Sequence, residues 1–312
     1  MVEIALETKD LTKQYGQLKA VNGLSLQVYE GEVFGFLGPN GAGKTTSINM
    51  MCGLLKPDSG QVYLWGKPVA GANVDIRAQV GICPQNILLW ERLTCIEQLQ
   101  FIGQMYGLSK STARERSEQL LAVVGLTPQR NMQARVLSGG MQRRLNLIMA
   151  LVHDPKIVVL DEPEAGLDPQ SRVLVRDFIR SLARKKTVIL TTHNMDEAER
   201  IVDRVAIIDH GELLVLDTPE ALLQRLGDGE VLEIDIAGNT HEGLAALAFL
   251  PDPVQIEAGE KTLFVHAHNA ATLLPKTYDA LQVAGLAPGE VRLRKNTLED
   301  VFIQLTGRRL RE

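Results

Sequence analysis

The chain has 312 residues and a formal net charge of −5 at pH 7, with 45% apolar and 23% charged residues. These fractions are close to the averages of soluble globular proteins, so a disordered chain is excluded and a core of ordinary size is expected. Aromatic residues make up only 4% of the chain. This low content argues against a stacking platform for single-stranded nucleic acid, and the acidic balance gives no overall basic field for DNA or RNA. We therefore expect no nucleic-acid partner.

Cysteine usage and hydropathy bear on the compartment. The three cysteines, Cys52, Cys83 and Cys95, form no CxxC pair and show no metal-ligand spacing with histidine, so free thiols in a reducing cytosol are expected. The sequence has no apolar run of about 18 residues, the length that a transmembrane helix needs, and its N-terminal stretch lacks the apolar region of a signal peptide. We expect a cytoplasmic protein that reaches a membrane only through a partner.

The first two thirds of the chain combine strand-like and helical patterns. Apolar or alternating runs predict strands at residues 3–9, 24–28, 32–37, 157–160, 187–190 and 205–208. The stretch 44–54 predicts a helix, and helical periodicity alone occurs from about residue 86 to 154, which indicates a helical insertion. A helical stretch separates the strands predicted at 157–160 and 187–190, and this βαβ pattern predicts a parallel sheet.

The pattern changes near Gly227-Asp228-Gly229, which is the best candidate for a domain boundary. Beyond it the sequence predicts two strands and a helix, at residues 231–236, 262–266 and 270–285. We therefore expect two domains, residues 3–226 and residues 229–312, of which the second is a small α+β accessory domain.

A glycine-rich loop follows the predicted strand 32–37 and opens the next predicted helix. It has the sequence Gly38-Pro39-Asn40-Gly41-Ala42-Gly43-Lys44-Thr45-Thr46, which fits the GxxxxGK[ST] pattern of a phosphate-binding P-loop. Glycines let successive backbone N–H groups converge on phosphate oxygens, and the helix N-terminus adds its positive dipole end. We expect Lys44 to reach the β- and γ-phosphates and the Thr45 hydroxyl to bind Mg²⁺.

Two carboxylates end the apolar run 157–160. Asp161 suits the role of holding Mg²⁺ through its shell, as in other P-loop NTPases. Glu162 can turn toward the γ-phosphate and polarise a water as a general base. Two acids that cap the following helix are the alternative interpretation, and the P-loop upstream favours the catalytic one.

A second phosphate-receptive segment lies just upstream of that strand, in the stretch 137–144, LSGGMQRR. Ser138, Gly139 and Gly140 precede a helical stretch and so form another helix N-terminus that suits an anion. Here the sequence resembles the ABC transporter ATPase family, whose signature is LSGGQ, with Met141 at the position of the usual glutamine. The resemblance implies that two subunits sandwich ATP between the P-loop of one and the signature of the other.

Four further residues match the family pattern in chain order. The resemblance implies that Tyr15 stacks on adenine, that Gln85 contacts Mg²⁺ or water and links to the membrane partner, and that His193 touches the γ-phosphate in catalysis. Asp168 resembles the residue at the dimer interface, and it can also serve as a helix cap. Glu164 departs from the family, which more often has a small hydroxyl residue there, and the sequence offers no physical account of this acid.

The resemblance covers residues 3 to about 225 closely, and the end of the chain adds to it. The stretch 298–307, LEDVFIQLTG, is similar to the end of exporter ATPases of the drug- and antibiotic-resistance type. Its apolar residues predict one face of a helix, at Leu298, Val301, Phe302 and Leu305. That face either packs the tail onto its own domain or makes a dimer or partner contact.

The resemblance implies an α/β fold: a P-loop NTPase cassette with a RecA-like mixed sheet, an antiparallel β subdomain and a helical subdomain at about residues 86–154. It implies an ATP-hydrolysing motor that uses ATP and Mg²⁺, forms a homodimer and drives a separate transmembrane permease. The tail favours export, and the stretch 86–108, with Trp90 as an exposed or a core residue, should dock the permease. An importer ATPase and a non-transport ABC ATPase acting on ribosomes or DNA are the alternatives, and the cargo stays open.

Overall fold

The structure, a computed structural model, describes residues 3–69, 78–226, 229–250 and 254–306. The chain divides into two compact units, of which the first reaches Thr218 and the second begins at Pro219. The sequence placed the boundary slightly later, at residues 227–229, of which Gly227 and Asp228 lie outside the described residues. The short helix Pro219–Arg225 thus belongs to the second unit.

An antiparallel sheet comes first in the chain. Its strands are β1 (Ile4–Tyr15), β2 (Leu18–Tyr29), β4 (Ser59–Leu64) and β5 (Lys67–Pro68), in the order β2-β1-β4-β5. β1 and β2 extend beyond the strands predicted at 3–9 and 24–28, because they form one hairpin that turns at Gly16, where φ is +60°. The end of this hairpin, residues 14–19, is exposed, and only Tyr15 and Leu18 carry large apolar side chains there. No alternating apolar pattern therefore marked these residues in the sequence.

A six-stranded sheet forms the centre of the first unit. Its strands are β3 (Val33–Leu37), β6 (Val80–Cys83), β7 (Ile157–Asp161), β8 (Thr187–Thr192), β9 (Arg204–Asp209) and β10 (Glu212–Asp217), in the order β10-β9-β3-β8-β7-β6. Neighbours are parallel except for the antiparallel pair β9 and β10. β3 and β7 are buried along their whole length, as strands covered on both faces are. The carboxyl ends of β3, β6, β7 and β8 lie on one edge, where open α/β sheets bind ligands.

Helices follow these strands, and three of them form a helical segment between β6 and β7. The helices of the first unit are α1 (Lys44–Met51), α2 (Cys95–Met105), α3 (Lys110–Val123), α4 (Gly139–Met149), α5 (Pro169–Leu182) and α6 (Met195–Glu199). Thr94 and Glu97 form a capping box that begins α2. α1 ends before the predicted residue 54, because Gly53 follows it with φ +70°, a conformation that terminates helices.

The cysteines and the helices bear on the expected compartment of the protein. All three cysteines are buried free thiols, as predicted. Burial raises the pKa of Cys52 to about 12 and that of Cys83 to about 11, so neither thiol ionises at neutral pH. Across the ranges that the structure describes, the helices are all too short or too polar to cross a membrane.

The second unit combines helices with one antiparallel sheet. Its elements are α7 (Pro219–Arg225), β11 (Glu230–Ala237), α8 (Thr240–Leu247), β12 (Gln255–Ala258), β13 (Thr262–Ala267), α9 (Ala270–Val283), β14 (Ala287–Lys295) and α10 (Leu298–Thr306). The strand order is β12-β13-β11-β14, and residues of α8 and α9 pack with Leu232, Ile234 and Val265 in one core. The sequence missed α7, α8, β12 and β14. β12 is short and β14 is mostly exposed, so neither shows a clear apolar pattern.

α10 carries the apolar residues of the tail. Leu298, Val301 and Phe302 are buried, whereas Leu305 is 46% exposed. α10 packs against α7, which belongs to the same unit. The helix was predicted correctly, and three of its four apolar residues contribute to packing within their own unit. Gly307, the last residue of the matched tail, lies outside the described residues.

A buried ion pair ties α10 to the sheet of the second unit. Arg294 of β14 donates to both carboxylate oxygens of Asp300, at 2.6 and 3.0 Å, and to Glu233 at 2.6 Å. Asp300 is 3% exposed. Burial alone would raise the pKa of Asp300, but the hydrogen bonds and charge of Arg294 hold that pKa below its ordinary value.

Asp300→Asn is expected to lower the free energy of unfolding of the second unit by about 2 kcal/mol, because Arg294 then loses its main partner. The loss is present above about pH 4, where an unfolded aspartate is ionised, and shrinks as the pH falls below that value. Urea unfolding at pH 7 and pH 3 measures both effects. Asp279→Asn makes the same change on the exposed surface of α9 and should cost less than about 0.5 kcal/mol. Equal losses in the two variants would contradict the assignment.

Candidate functional site

The glycine-rich loop lies between β3 and α1, where its shape depends on glycine. A Cβ on Gly38 would lie 2.3 Å from the carbonyl oxygen of Ile208, and a Cβ on Gly43 would lie 2.2 Å from that of Ala20. Gly43 also has φ +98° and, as the N-cap residue, offers no side chain to the first amides of α1. These amides and the helix dipole therefore suit an anion at the start of α1.

The other loop residues divide between an exposed tip and a buried base. Pro39 is half-buried, and Asn40 and Gly41 are exposed, while Ala42 is buried and its carbonyl accepts a hydrogen bond from the Gly211 amide at 3.0 Å. Thr46 is half-buried in the first turn of α1. The loop is thus anchored at its base and open at its tip.

Lys44 folds back over this loop. Its Nζ donates to the carbonyl oxygens of Gly38 at 2.6 Å and of Pro39 at 2.9 Å. Burial lowers the pKa of Lys44, and the nearby carboxylates of Asp161 and Glu162 oppose that effect. A cation held by two weak acceptors beside two acids is suited to binding an anionic ligand in their place.

A hydroxyl and a carboxylate meet below the loop. Asp161, the last residue of β7, accepts a hydrogen bond from the Thr191 hydroxyl at 2.5 Å, and Thr45 Oγ1 lies 3.5 Å from its other oxygen. Asp161 is 6% exposed. Hydroxyl and carboxylate oxygens are ligands that Mg²⁺ prefers. Thr45 and Asp161 could therefore hold this metal, with waters and phosphate completing its shell.

The three residues predicted to be catalytic, Gln85, Glu162 and His193, meet at Glu162, which directly follows Asp161. Glu162 Oε1 lies 2.9 Å from Nδ1 of His193, and Gln85 Nε2 donates to Glu162 Oε2 at 3.4 Å. Glu162 has φ +46° and is 7% exposed, and its amide donates to the hydroxyl of Thr191 at 3.0 Å. The structure thus brings together Gln85 after β6, Glu162 after β7 and His193 after β8. A carboxylate so placed can accept a proton from a bound water.

Arg143 is a residue of this region that sequence reasoning missed. It lies in α4, is 2% exposed, and donates to five backbone carbonyls. Nε bonds Pro163 at 3.0 Å, Nη1 bonds Pro84 at 3.2 Å and Gln85 at 2.6 Å, and Nη2 bonds Asp161 at 3.0 Å and Glu162. Arg143 shares its helix face with Leu147 and Ala150, which are buried. The position of this arginine on the apolar face of a predicted helix could have identified it as a buried residue with a special role.

Ser138, Gly139 and Gly140 form the exposed start of α4. The Ser138 hydroxyl caps α4 by accepting from the Met141 amide at 3.4 Å, and Ser138 and Gly139 are exposed. A Cβ on Gly140 would lie 2.6 Å from Ser171 Oγ in α5, so a larger residue here would have to displace the Ser171 side chain. The N-terminal amides of α4 thus face solvent, where a second molecule can reach them.

The two remaining predicted residues are on the surface. Asp168 caps α5 by accepting from the Ser171 amide at 2.9 Å, and hydrogen bonds from the Ser171 side chain and then from this amide lower the pKa of Asp168. Asp168 therefore serves as a helix cap, and because it is exposed it stays accessible to a partner as well. Tyr15 is 51% exposed at the end of β1, with Lys13 Nζ 5.7 Å from its ring centre. Its exposed ring is free to stack on a planar base.

Glu164 faces a cavity of about 160 Å³ that Glu162 and His193 also line. Arg176 Nη2 lies 3.5 Å from both Glu164 Oε2 and Glu197 Oε1. Burial, followed by the proximity of Glu197, raises the pKa of Glu164 to about 7. The acid that the sequence left unexplained therefore belongs to a cluster that joins the segment after β7 to α5 and α6.

Comparisons with known proteins agree with this geometry. The family model described as ABC transporter matches residues 21–165. The Nod factor export ATP-binding protein I of Ralstonia nicotianae is 38% identical over 310 residues, which cover 98% of this chain and 95% of the relative. The linearmycin resistance ATP-binding protein LnrL of Bacillus subtilis is 36% identical over 313 residues, covering 98% of this chain and all of the relative.

Solved structures show the same cassette. CbiO1 from Clostridium perfringens, part of the ABC transporter complex cbiONQ, matches with a TM-score of 0.65 and 27% identity over 70% of this chain and 90% of its own. The ATP-binding cassette MJ0796, solved as a dimer in a post-hydrolysis state with ADP and Pi, matches with a TM-score of 0.63 and 26% identity over 68% of this chain and 98% of its own. The chain therefore belongs to the ABC transporter family, as one of its ATP-binding proteins and hence an ATPase.

Proposed function

We propose that this chain is the ATP-hydrolysing motor of a membrane exporter, in which two copies close on two ATP and Mg²⁺ and drive a separate permease. The observation that carries the proposal is the convergence of Gln85, Glu162 and His193 beside the P-loop and Asp161. Both relatives described above are named for export or resistance, which supports export over import. The acidic net charge counts against an ATPase that acts on ribosomes or DNA.

The proposed reaction uses each of these residues. Lys44 exchanges the carbonyls of Gly38 and Pro39 for the β- and γ-phosphates, and the exposed Tyr15 stacks on adenine. Thr45 and Asp161, with Gln85 nearby, would hold Mg²⁺, which would supply positive charge to the transferred phosphate. Glu162 accepts a proton from water as the water oxygen bonds the γ-phosphorus and the bond to the β-phosphate oxygen breaks. The products are ADP and phosphate. His193 keeps Glu162 oriented and reaches the γ-phosphate.

Dimer formation would complete each site. Ser138, Gly139 and Gly140 present the N-terminus of α4 to solvent, and such a terminus binds phosphate through its amides and dipole. We infer that these residues contact the γ-phosphate bound by the P-loop of a second copy, with Asp168 at the interface. The dimeric structure of MJ0796 with ADP and Pi supports this arrangement.

A groove in the helical segment is the proposed site of the permease. Its volume is about 480 Å³, and its walls include Leu88, Trp90 and Tyr106. Trp90 is 42% exposed and packs edge-on against Phe101, with 5.3 Å between ring centres. Partly exposed aromatic and aliphatic side chains around a groove suit an apolar helix as partner. We therefore place the cytoplasmic helices of the permease here, within the stretch 86–108 expected from the sequence.

Glu162→Gln tests the general-base assignment. We expect ATP turnover to fall by about 10²- to 10⁴-fold, because glutamine cannot accept the proton of the attacking water. ATP affinity should be retained and an ATP-bound dimer should accumulate. Phosphate release, equilibrium dialysis and size-exclusion chromatography with light scattering measure these three quantities. Glu115→Gln, on the exposed face of α3, should behave as the wild type. Wild-type turnover in Glu162→Gln would refute the role of Glu162.

Glu164→Gln tests the acidic cluster through pH. The pKa of Glu164 is raised from 4.5 to about 7, so between these values the folded state binds a proton that the unfolded state has lost. Stability should therefore fall as the pH rises from about 5 to 7, by about 1 to 2 kcal/mol. Urea unfolding at pH 5 and pH 8 should show a smaller difference for Glu164→Gln than for the wild type and Glu115→Gln. The same difference in all three would contradict the assignment.

Leu88→Glu and Trp90→Glu test the groove. From membranes solubilised in mild detergent, the tagged chain should co-purify with a stoichiometric multi-span membrane protein, and each variant should lose most of it. The reason is that a carboxylate would be buried without a partner against an apolar helix. Val283→Glu, which changes a residue 90% exposed on α9, is the matched control. Equal recovery of the membrane protein with all three variants would exclude the groove, and ribosomal proteins or DNA in its place would overturn the motor assignment.

A further inference from the structure

The guanidinium of Arg143 has every donor engaged. An arginine side chain carries five N–H donors, and Arg143 places all five on carbonyls of two segments, Pro84–Gln85 and residues 161–163. All five acceptors belong to the backbone. The side chain therefore fixes the course of the chain at Gln85 and Glu162 and leaves their side chains free for the nucleotide. Arg143 also holds the left-handed backbone conformation of Glu162, where φ is +46°, because the Glu162 carbonyl is one of its five acceptors.

Arg143 lies within two turns of the exposed start of the same helix. α4 begins at Gly139 with Ser138 as its cap, and a helix rises about 1.5 Å per residue. Because a short helix moves as a rigid body, a shift of Ser138 and Gly139 displaces Arg143 as well. The five hydrogen bonds pass that displacement to the backbones of Gln85 and Glu162.

We propose that Arg143 is a positioning residue that couples the two ATP sites of the dimer, an inference that rests on the proposed function. In the dimer, Ser138–Gly140 of one chain contact the ATP bound by its partner. Gln85 and Glu162 of that first chain face its own ATP. Within one chain, Arg143 connects Ser138–Gly140 to Gln85 and Glu162. Occupancy of either ATP site therefore favours the closed form of the other. Coupling of this kind is reciprocal in free energy.

The next residue provides a matched control. Arg144 donates to the carbonyl of Val124 at 2.6 Å and to that of Gly140 at 3.4 Å. Both acceptors lie in the helical segment, away from Gln85 and Glu162. Lysine keeps the charge and length of either arginine but has three donors on one atom in place of a planar fork. Arg143→Lys and Arg144→Lys therefore make the same change in α4, and only the first breaks the link between the two segments.

The test uses the full-length chain with Glu162→Gln, which is expected to form a stable ATP-bound dimer. Adding Arg143→Lys should raise the ATP concentration for half-maximal dimerisation by about tenfold or more, for about two lost hydrogen bonds. The Hill coefficient should fall toward 1. ATP affinity of the dilute monomer should change by less than about twofold, since Lys44 and Thr45 are untouched. Arg144→Lys should leave the dimerisation midpoint and the Hill coefficient unchanged, and Arg143→Gln should shift both further than Arg143→Lys.

The outcomes separate the two proposals. Failure of Glu162→Gln itself to dimerise with ATP would refute the proposed dimeric motor, whatever Arg143 does. Normal dimerisation of Glu162→Gln with an unchanged midpoint after Arg143→Lys would refute the coupling role alone. Equal shifts for Arg143→Lys and Arg144→Lys, accompanied by equal losses of thermal stability, would show general damage to α4 and would also overturn it.

A second measurement leaves Arg143 intact. In a mixed dimer of Glu162→Gln and Lys44→Ala chains, the Lys44→Ala chain binds ATP weakly through its own P-loop but still contacts its partner's ATP through Ser138. Amide hydrogen exchange should slow in the Lys44→Ala chain around Gln85 and Glu162 when ATP is added. Unchanged exchange at both segments, with slowed exchange at Ser138–Gly140, would overturn the transmission through Arg143.

Discussion

The site depends on keeping two adjacent carboxylates, Asp161 and Glu162, buried at the end of β7. Each is less than a tenth exposed, and a buried carboxylate needs hydrogen bonds or a nearby opposite charge to offset the loss of contact with water. The end of β8 supplies two such partners, the Thr191 hydroxyl to Asp161 and the His193 ring to Glu162, and the start of α1 supplies the charge of Lys44 near both. The groups that make this burial possible are those that the proposed hydrolysis uses, so stability and chemistry constrain the same side chains.

The parallel register determines which side chains can meet. β7 pairs with β8 so that Asp161 lies opposite Thr191, and it pairs with β6 so that Leu160 lies opposite Cys83. A slip of one residue would turn Asp161 to the other face of the sheet. Glu162 then leaves the strand in a left-handed conformation. This turn directs its carboxylate toward Gln85 and His193.

The sequence predicted the local parts of this site and missed its connections. The P-loop, Asp161, Glu162 and the start of α4 are short motifs whose chemistry follows from adjacent residues, so they could be identified before the fold was known. Arg143 and the cluster around Glu164 depend on residues that are brought together only by folding. In the second unit, β14 was missed because its charged, mostly exposed residues gain their structure from pairing with β11.

The segment after β6 belongs to the groove and to the ATP site at once. Pro84 lines the groove and accepts a hydrogen bond from Arg143, and Gln85 is the next residue. Asn146 lies one turn after Arg143 in α4, where its Oδ1 accepts from the Leu88 amide at 3.2 Å and its Nδ2 donates to Cys83 Sγ at 3.2 Å. Under the proposed docking, a permease helix seated in the groove would contact a segment that hydrogen bonds from α4 hold in place. In the proposed transporter, nucleotide-driven closure and the permease would therefore both act on this short stretch of backbone, and α4 would be linked to both through Arg143 and Asn146.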